Sequence, residues 1–181
     1  MGIFRKAEGE PLAVTMAAVK LGDRFLSVGV RDRELIAVLA AKAGLTGTAC
    51  AVDADEAAVT RAAAAIEAAG ALADVTRAPW GAWPYGDGSF DVALVRELLP
   101  ALTAADRASA VAEVLRVLRP GGRVVVIDGT TRGMLARMTG GSRAAPTGGE
   151  AAAALTAAGF AAVRILAERD GVSYVEGIKR M

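Results

Sequence analysis

The sequence contains no histidine in 181 residues and a single cysteine, Cys50. Without histidine, the side chain most used as a general base or transition-metal ligand near neutral pH is missing, so Ser-His-Asp and Cys-His catalysis and His-ligated zinc are excluded. One cysteine excludes an internal disulfide framework and a cysteine-cluster metal site, and it points to a cytoplasmic compartment. Aromatic residues are only 4% of the chain although hydrophobic residues are 54%; alanine, at 42 positions, makes up the difference. Such a core has to pack small side chains closely around a few large anchors. No run approaches the ~18 uncharged apolar residues of a membrane span. Residues 1–10 mix Arg5 and Lys6 with Glu8 and Glu10 instead of leading into an apolar segment, so an unexported protein with no integral membrane segment is expected. With Lys+Arg at 21 and Asp+Glu at 20, the net charge of +1 gives no global electrostatic reason to bind nucleic acid. Any catalysis must use carboxylates, backbone groups, a bound cofactor or proximity.

The length suits a single domain over 1–181. Short apolar runs rich in β-branched residues alternate with helical patterns, which predicts an α/β chain of crossover units around a largely parallel sheet. A first helix over 11–20, stopped by Gly22, leads into a strand at 25–29. Asp32 caps the next helix, with Leu35, Ile36, Val38, Leu39 and Ala43 on one face and Gly44 as its stop. A second strand, 48–52, ends at Asp53. A helix over 55–69 turns Val59, Ala62, Ala63 and Ile66 inward, and a weak strand follows at 71–77. Residues 79–88 hold two Pro, three Gly and both tryptophans, and read as a structured loop. A fourth strand covers 90–95. Thr103, with Asp106 three residues on, opens a helix carrying Val111, Val114, Leu115 and Leu118 that ends at residues 119–122. A fifth strand spans 123–128, and 129–149, with six Gly and three Arg, reads as a mobile loop. A helix at 150–158 and strands at 160–167 and 172–178 complete the chain; the short turn at 169–171 forces the last two strands to be antiparallel.

In an open parallel sheet, ligands sit beyond the carboxyl ends of the strands where the strand order reverses. That selects 29–33, 53–55 (Asp53, Ala54 and Asp55), 79–83 and 96–99. Asp53, 24 residues after Gly29, is placed to accept two hydrogen bonds from a ribose diol. The competing use is capping of the following helix, which Asp55 serves equally well. Gly29-Val30-Arg31-Asp32-Arg33-Glu34 lacks the G-x-G-x-x-G of a dinucleotide site, and Asp32 and Glu34 at the positive end of the helix dipole repel phosphate, so NAD and ATP are disfavoured.

Three segments carry a resemblance. Trp83-Pro84-Tyr85-Gly86-Asp87-Gly88-Ser89-Phe90-Asp91-Val92, Glu113-Val114-Leu115-Arg116-Val117-Leu118-Arg119-Pro120-Gly121-Gly122-Arg123, and Leu155-Thr156-Ala157-Ala158-Gly159-Phe160 resemble the class I S-adenosylmethionine-dependent methyltransferases, especially the small-molecule branch of ubiquinone and menaquinone biosynthesis. The resemblance covers nearly the whole chain. It implies a Rossmann-like, doubly wound, seven-stranded sheet, mostly parallel with an antiparallel last strand. It also implies S-adenosylmethionine as cofactor and a small molecule as methyl acceptor.

The cofactor motif departs from the family's acidic-x-G-x-G-x-G. Its four marked positions are Ser27, Gly29, Arg31 and Arg33, of which only Gly29 matches. Ser27 can accept a hydrogen bond without charge assistance; Arg31 either obstructs the methionine end or binds its carboxylate. The acidic residue that would meet adenine is Pro79, next to Trp80, whose indole can stack on adenine or plug the loop. The implied cofactor contacts are Ser27, Gly29, Arg31, Asp53, Ala54 and Trp80. Glu97, just past the fourth strand, is the candidate catalytic base or acceptor-orienting group, against the simpler reading of an exposed Arg96/Glu97 pair. Holding donor and acceptor in line supplies most of the rate advantage, so the absence of histidine is tolerable. The altered motif also fits a non-catalytic partner subunit or binding module, and assembly into a homo- or hetero-oligomer stays open.

Overall fold

The computed structural model describes residues 11–129, 148–169 and 171–181. The elements in chain order are α1 (Leu12–Ala17), β1 (Arg24–Val28), α2 (Arg33–Ala43), β2 (Thr48–Asp53), α3 (Glu56–Ala68), β3 (Asp74–Arg77), β4 (Phe90–Arg96), a 3-10 turn (Leu99–Ala101), α4 (Ala104–Val117), β5 (Leu118–Gly129), α5 (Gly148–Ala158), β6 (Ala161–Arg169) and β7 (Val172–Ile178). The seven strands form one sheet in the order β3-β2-β1-β4-β5-β7-β6. Strands β1 to β5 pair in parallel, whereas β7 is antiparallel to both β5 and β6. The α/β class and the mostly parallel, doubly wound sheet expected from the sequence are what the chain adopts. The order reverses between β1 and β4, which puts the ligand-binding crevice of such a sheet beyond Val28 and Arg96.

Side-chain alternation along the central strands feeds two layers of core. Phe25, Val92, Leu94, Val125 and Ile127 pack with Val14, Leu35 and Leu39 of α1 and α2. Leu26, Val28, Ala93, Val95, Val124 and Val126 face the other way, onto Val111 and Val114 of α4 and Leu155 of α5. Under α3 the packing is thinner, resting on Ala62 and Ile66 against Ile36 and Ala51. Each fully buried Leu, Ile or Phe contributes roughly 1.5–3 kcal/mol, so Phe25, Leu26, Leu39 and Leu94 are the anchors an alanine-rich chain depends on.

Several boundaries differ from the sequence reading. α1 ends at Ala17, because Ala18 adopts a left-handed conformation with φ 44°; Gly22, at φ +87°, shapes the turn into β1 instead. Val38 is 45% exposed and Ala63 is also exposed, so neither belongs to its helix's inward stripe. β5 begins at Leu118, not Arg123: Leu118 pairs with Phe90, and the Pro120-Gly121-Gly122 stretch lies within the strand beside an irregularity in the β4 register. Backbone pairing with a neighbouring strand overrode the helix-stop signal there. Most of the 129–149 loop lies outside the described residues. No helix among the described residues is long and apolar enough to cross a membrane.

Candidate functional site

The β1–α2 turn is built by its neighbours. Gly29 takes φ +87° and donates its N–H to Val52 O at 2.8 Å, fastening the turn to β2. Ser27 is buried, and its hydroxyl donates to Gly29 O at 3.0 Å, so this side chain is turned into the loop. Asp53, 8% exposed, spans the gap between strands: Oδ2 accepts the Val30 N–H at 3.2 Å and Oδ1 accepts the Asp55 N–H at 3.0 Å. Asp55, not Asp53, caps α3, accepting from the backbone of Ala57 and Ala58. The carboxylate at the end of β2 thus clamps the β1 turn.

At the switch point lies a pocket of about 240 Å³ lined by Arg31, Asp32, Arg33, Glu34, Arg96 and Glu97. Three cations and three anions face one another there, from the start of α2 and the end of β4. Asp32 holds the two sides together: one oxygen accepts the Leu35 N–H at 2.9 Å as the α2 cap, and the other pairs with Arg96 Nε at 3.0 Å. Glu97 sits at φ +49°, uncommon for a residue with a side chain. Its N–H donates to Ile127 O at 2.9 Å, which ties the end of β4 to β5. Arg31 and Glu97 therefore meet in one pocket, while Ser27, in β1, and Asp53, at the end of β2, are hydrogen-bonded to the backbone of the β1–α2 turn. Ala54, half-buried, follows Asp53, and Trp80, also half-buried, packs against the main core cluster.

Some features at this end of the sheet were invisible in the sequence. A methyl group on Gly29 would lie 3.6–3.8 Å from Leu98, so the bare backbone of that glycine faces a buried side chain of this chain. Asp128, at the end of β5, is 2% exposed, and burial, aided by the charges of Glu97 and Glu150 and opposed by Arg107 and a backbone hydrogen bond from Glu97, pushes its carboxyl up to about 6. The 79–88 loop is held by α4: Glu113 Oε2 accepts the Trp83 N–H at 2.8 Å, and Arg116 donates to Glu113, to Tyr85 O and to Asp87. Tyr85 meets Phe90 edge-on at 5.1 Å.

Residues 26–126 match the methyltransferase domain family. This chain belongs to the methyltransferase domain family. No protein of curated function matches it by sequence. Among solved structures, it resembles a SAM-dependent methyltransferase from Aquifex aeolicus, with 19% identity, a TM-score of 0.76, and coverage of 92% of this chain and 87% of that one. The YcgJ protein of Bacillus subtilis superposes with a TM-score of 0.72 at 16% identity, covering 94% and 97% of the two chains. The [4+2]-cyclase SpnF gives 0.68 at 20% identity, covering 94% and 79%. At these identities the likeness establishes the methyltransferase fold, and a neighbour named for cyclisation shows that the fold leaves the reaction open.

Proposed function

We propose that this methyltransferase-domain chain is a SAM-dependent enzyme that methylates a small molecule, with the cofactor's methionine end in the pocket between α2 and β4. The observation that carries the reading is the charge pattern of that pocket, combined with the family match. An amino-acid end carries one carboxylate and one ammonium. Arg31 and Arg33 suit the carboxylate, and Glu34 suits the ammonium. Asp53 receives one backbone N–H on each oxygen, which leaves acceptor lone pairs for a ribose diol. Ala54 and Trp80 are assigned to the adenine side, Ser27 and Gly29 to the turn beneath the methionine, and Glu97 to the acceptor. S-adenosylmethionine, when bound, supplies an electrophilic methyl group on a sulfonium; the chain's part is to hold donor and acceptor in line. A single domain over 1–181, a cytoplasmic setting and the quinone-biosynthesis branch belong to the same reading.

A second reading, a non-catalytic partner subunit, is favoured by one observation: Leu98 packs against Gly29, where an open cradle would be wanted. Calorimetric titration with S-adenosylmethionine and S-adenosylhomocysteine separates the two. The enzyme reading expects saturable binding that Asp53→Ala weakens at least tenfold; absence of binding by both ligands makes the partner-subunit reading the better one.

A further inference from the structure

At the end of the sheet opposite the pocket, three parallel strands are each entered past an exposed leucine. Leu21 precedes β1 by three residues, Leu45 precedes β2 by three and Leu72 precedes β3 by two, with 75%, 89% and 74% of their surfaces in water. The three strands are neighbours in the sheet, so their entry turns stand side by side. The turns are fixed by backbone bonds: the Gly22 N–H donates to Ala43 O at 2.9 Å, the Thr48 N–H to Asp23 O at 3.1 Å, and the Ala71 N–H to Ile66 O at 3.1 Å. Leu21 lies over Gly44, where an added methyl group would come within 2.5 Å of its Cδ1, so Leu21 and Leu45 adjoin. Charge around this row is segregated. Lys20, exposed, is the one charged residue of 12–22, residues 43–49 carry none, and 62–76 carries only Glu67 and Asp74, both exposed. Of the remaining charges nearby, Lys42 is half-buried, Asp23 accepts the backbone N–H of Lys20 at 2.8 Å, and Arg24 pairs with Asp91.

We propose that this end of the sheet is a self-association surface, on which a second copy of the chain docks about a two-fold axis near Leu45. Such an axis reverses the row. Leu21 of each copy meets Leu72 of the other, Leu45 meets its counterpart, and Lys20 of each copy comes to Glu67 and Asp74 of the other, so a stripe that runs basic, apolar, acidic is complementary to itself. An anionic lipid surface is a poorer occupant, because it selects a basic rim and the acids of the β3 end outnumber Lys20. Three leucines this exposed present on the order of 400 Å² of apolar surface, the size of patch that marks an interaction site. Paired across the axis with the flanking charges, they bury about 1,000–1,200 Å² in total, the small end of specific interfaces, so the dimer forms reversibly and only at high concentration. Turns held by their own backbone bonds lose little freedom on docking. The pocket between α2 and β4 lies at the other end of the sheet and stays open in the dimer, which makes the surface independent of the reaction carried out there.

Analytical ultracentrifugation of the full chain tests the surface. Between about 10 µM and 1 mM the wild type should pass from monomer to dimer, as suits an interface below standard size. Leu45→Glu, at the most exposed of the three leucines, sets like charges on the axis and should weaken the dimer at least tenfold, with Tm and circular dichroism unchanged. Lys20→Glu should weaken it several-fold, and the triple variant Lys20→Glu, Glu67→Lys, Asp74→Lys, which inverts both ends of the stripe, should bring it back. A wild type that stays monomeric throughout this range overturns the proposal, as does a dimer that Leu45→Glu leaves intact. Failure of the triple variant to recover what Lys20→Glu loses overturns the two-fold arrangement. The same proteins are sedimented with vesicles of equimolar phosphatidylcholine and phosphatidylglycerol: wild type that binds them through Leu45 while remaining monomeric in solution assigns the leucines to a lipid surface and overturns the second copy as occupant.

Discussion

The Glu113–Arg116 pair on α4 anchors the entire 79–88 loop, which makes Glu113 the most informative single deletion. Its side chain accepts the Trp83 N–H at 2.8 Å and two Arg116 bonds at 2.7 and 2.8 Å, while Arg116 also reaches the backbone oxygens of Tyr85 and Trp83. In Glu113→Ala, the Trp83 N–H loses its acceptor in a buried setting, which costs about 1–3 kcal/mol. Arg116 keeps a third of its side-chain surface in water and retains Asp87, so its loss adds only about 1 kcal/mol. A total near 3 kcal/mol corresponds to a fall in Tm of roughly 6–12 °C for a chain of this length. Glu113→Gln keeps an acceptor for Trp83 and should cost about half as much. Hydrogen bonds from the Arg116 side chain, aided by the Trp83 N–H and opposed by burial, hold the Glu113 carboxyl below its ordinary value. Stability from a depressed carboxylate is present above the unfolded value and lost as pH falls through the folded one, so the gap between wild type and Glu113→Gln should close on acidification. Urea unfolding monitored by tryptophan fluorescence, at neutral pH and at about pH 3, reads both effects. Two variants within 0.5 kcal/mol of wild type at neutral pH would refute the anchoring role.

Asp128→Asn should show the opposite pH trend. A carboxyl raised by burial from 3.8 to about 6 makes the folded state lose stability as pH rises through that interval, by about 3 kcal/mol, so the variant gains on wild type between pH 4 and pH 8; urea midpoints measure the difference. Arg31→Gly distinguishes obstruction from recognition in calorimetry: on the carboxylate reading, S-adenosylmethionine affinity falls about tenfold, and tighter binding refutes that assignment. Asp91→Asn breaks the links to Arg24 and Arg119 that overcome burial and hold this carboxyl down to about 2, and thermal unfolding at neutral pH should reveal a loss of about 1–2 kcal/mol, moderated by the half-exposed arginines.

The alternation of β-branched runs with alanine-rich helices was sufficient for the α/β class, and the short turn at 169–171 was sufficient for the antiparallel end, because each is a local consequence of pattern and chain length. Caps were equally legible: Asp32, Asp55 and Thr103 each accept a backbone N–H at a helix start. Glycine and proline misled where pairing decided the outcome, as at residues 120–122, where the strand ladder claimed residues that read as a helix stop.

The sequence by itself determined which chemistry was absent, since no fold can restore histidine or a second cysteine, and it placed the carboxyl ends of the parallel strands to within a residue. The tertiary structure alone decided what those ends face. Asp53 reaching to Val30, Leu98 over Gly29, and Glu97 beside Asp128 join residues 23, 69 and 31 positions apart. Nothing in local pattern specifies such contacts, because they exist only once β1, β2, β4 and β5 lie side by side at spacings of about 5 Å and burial changes the cost of every charge between them.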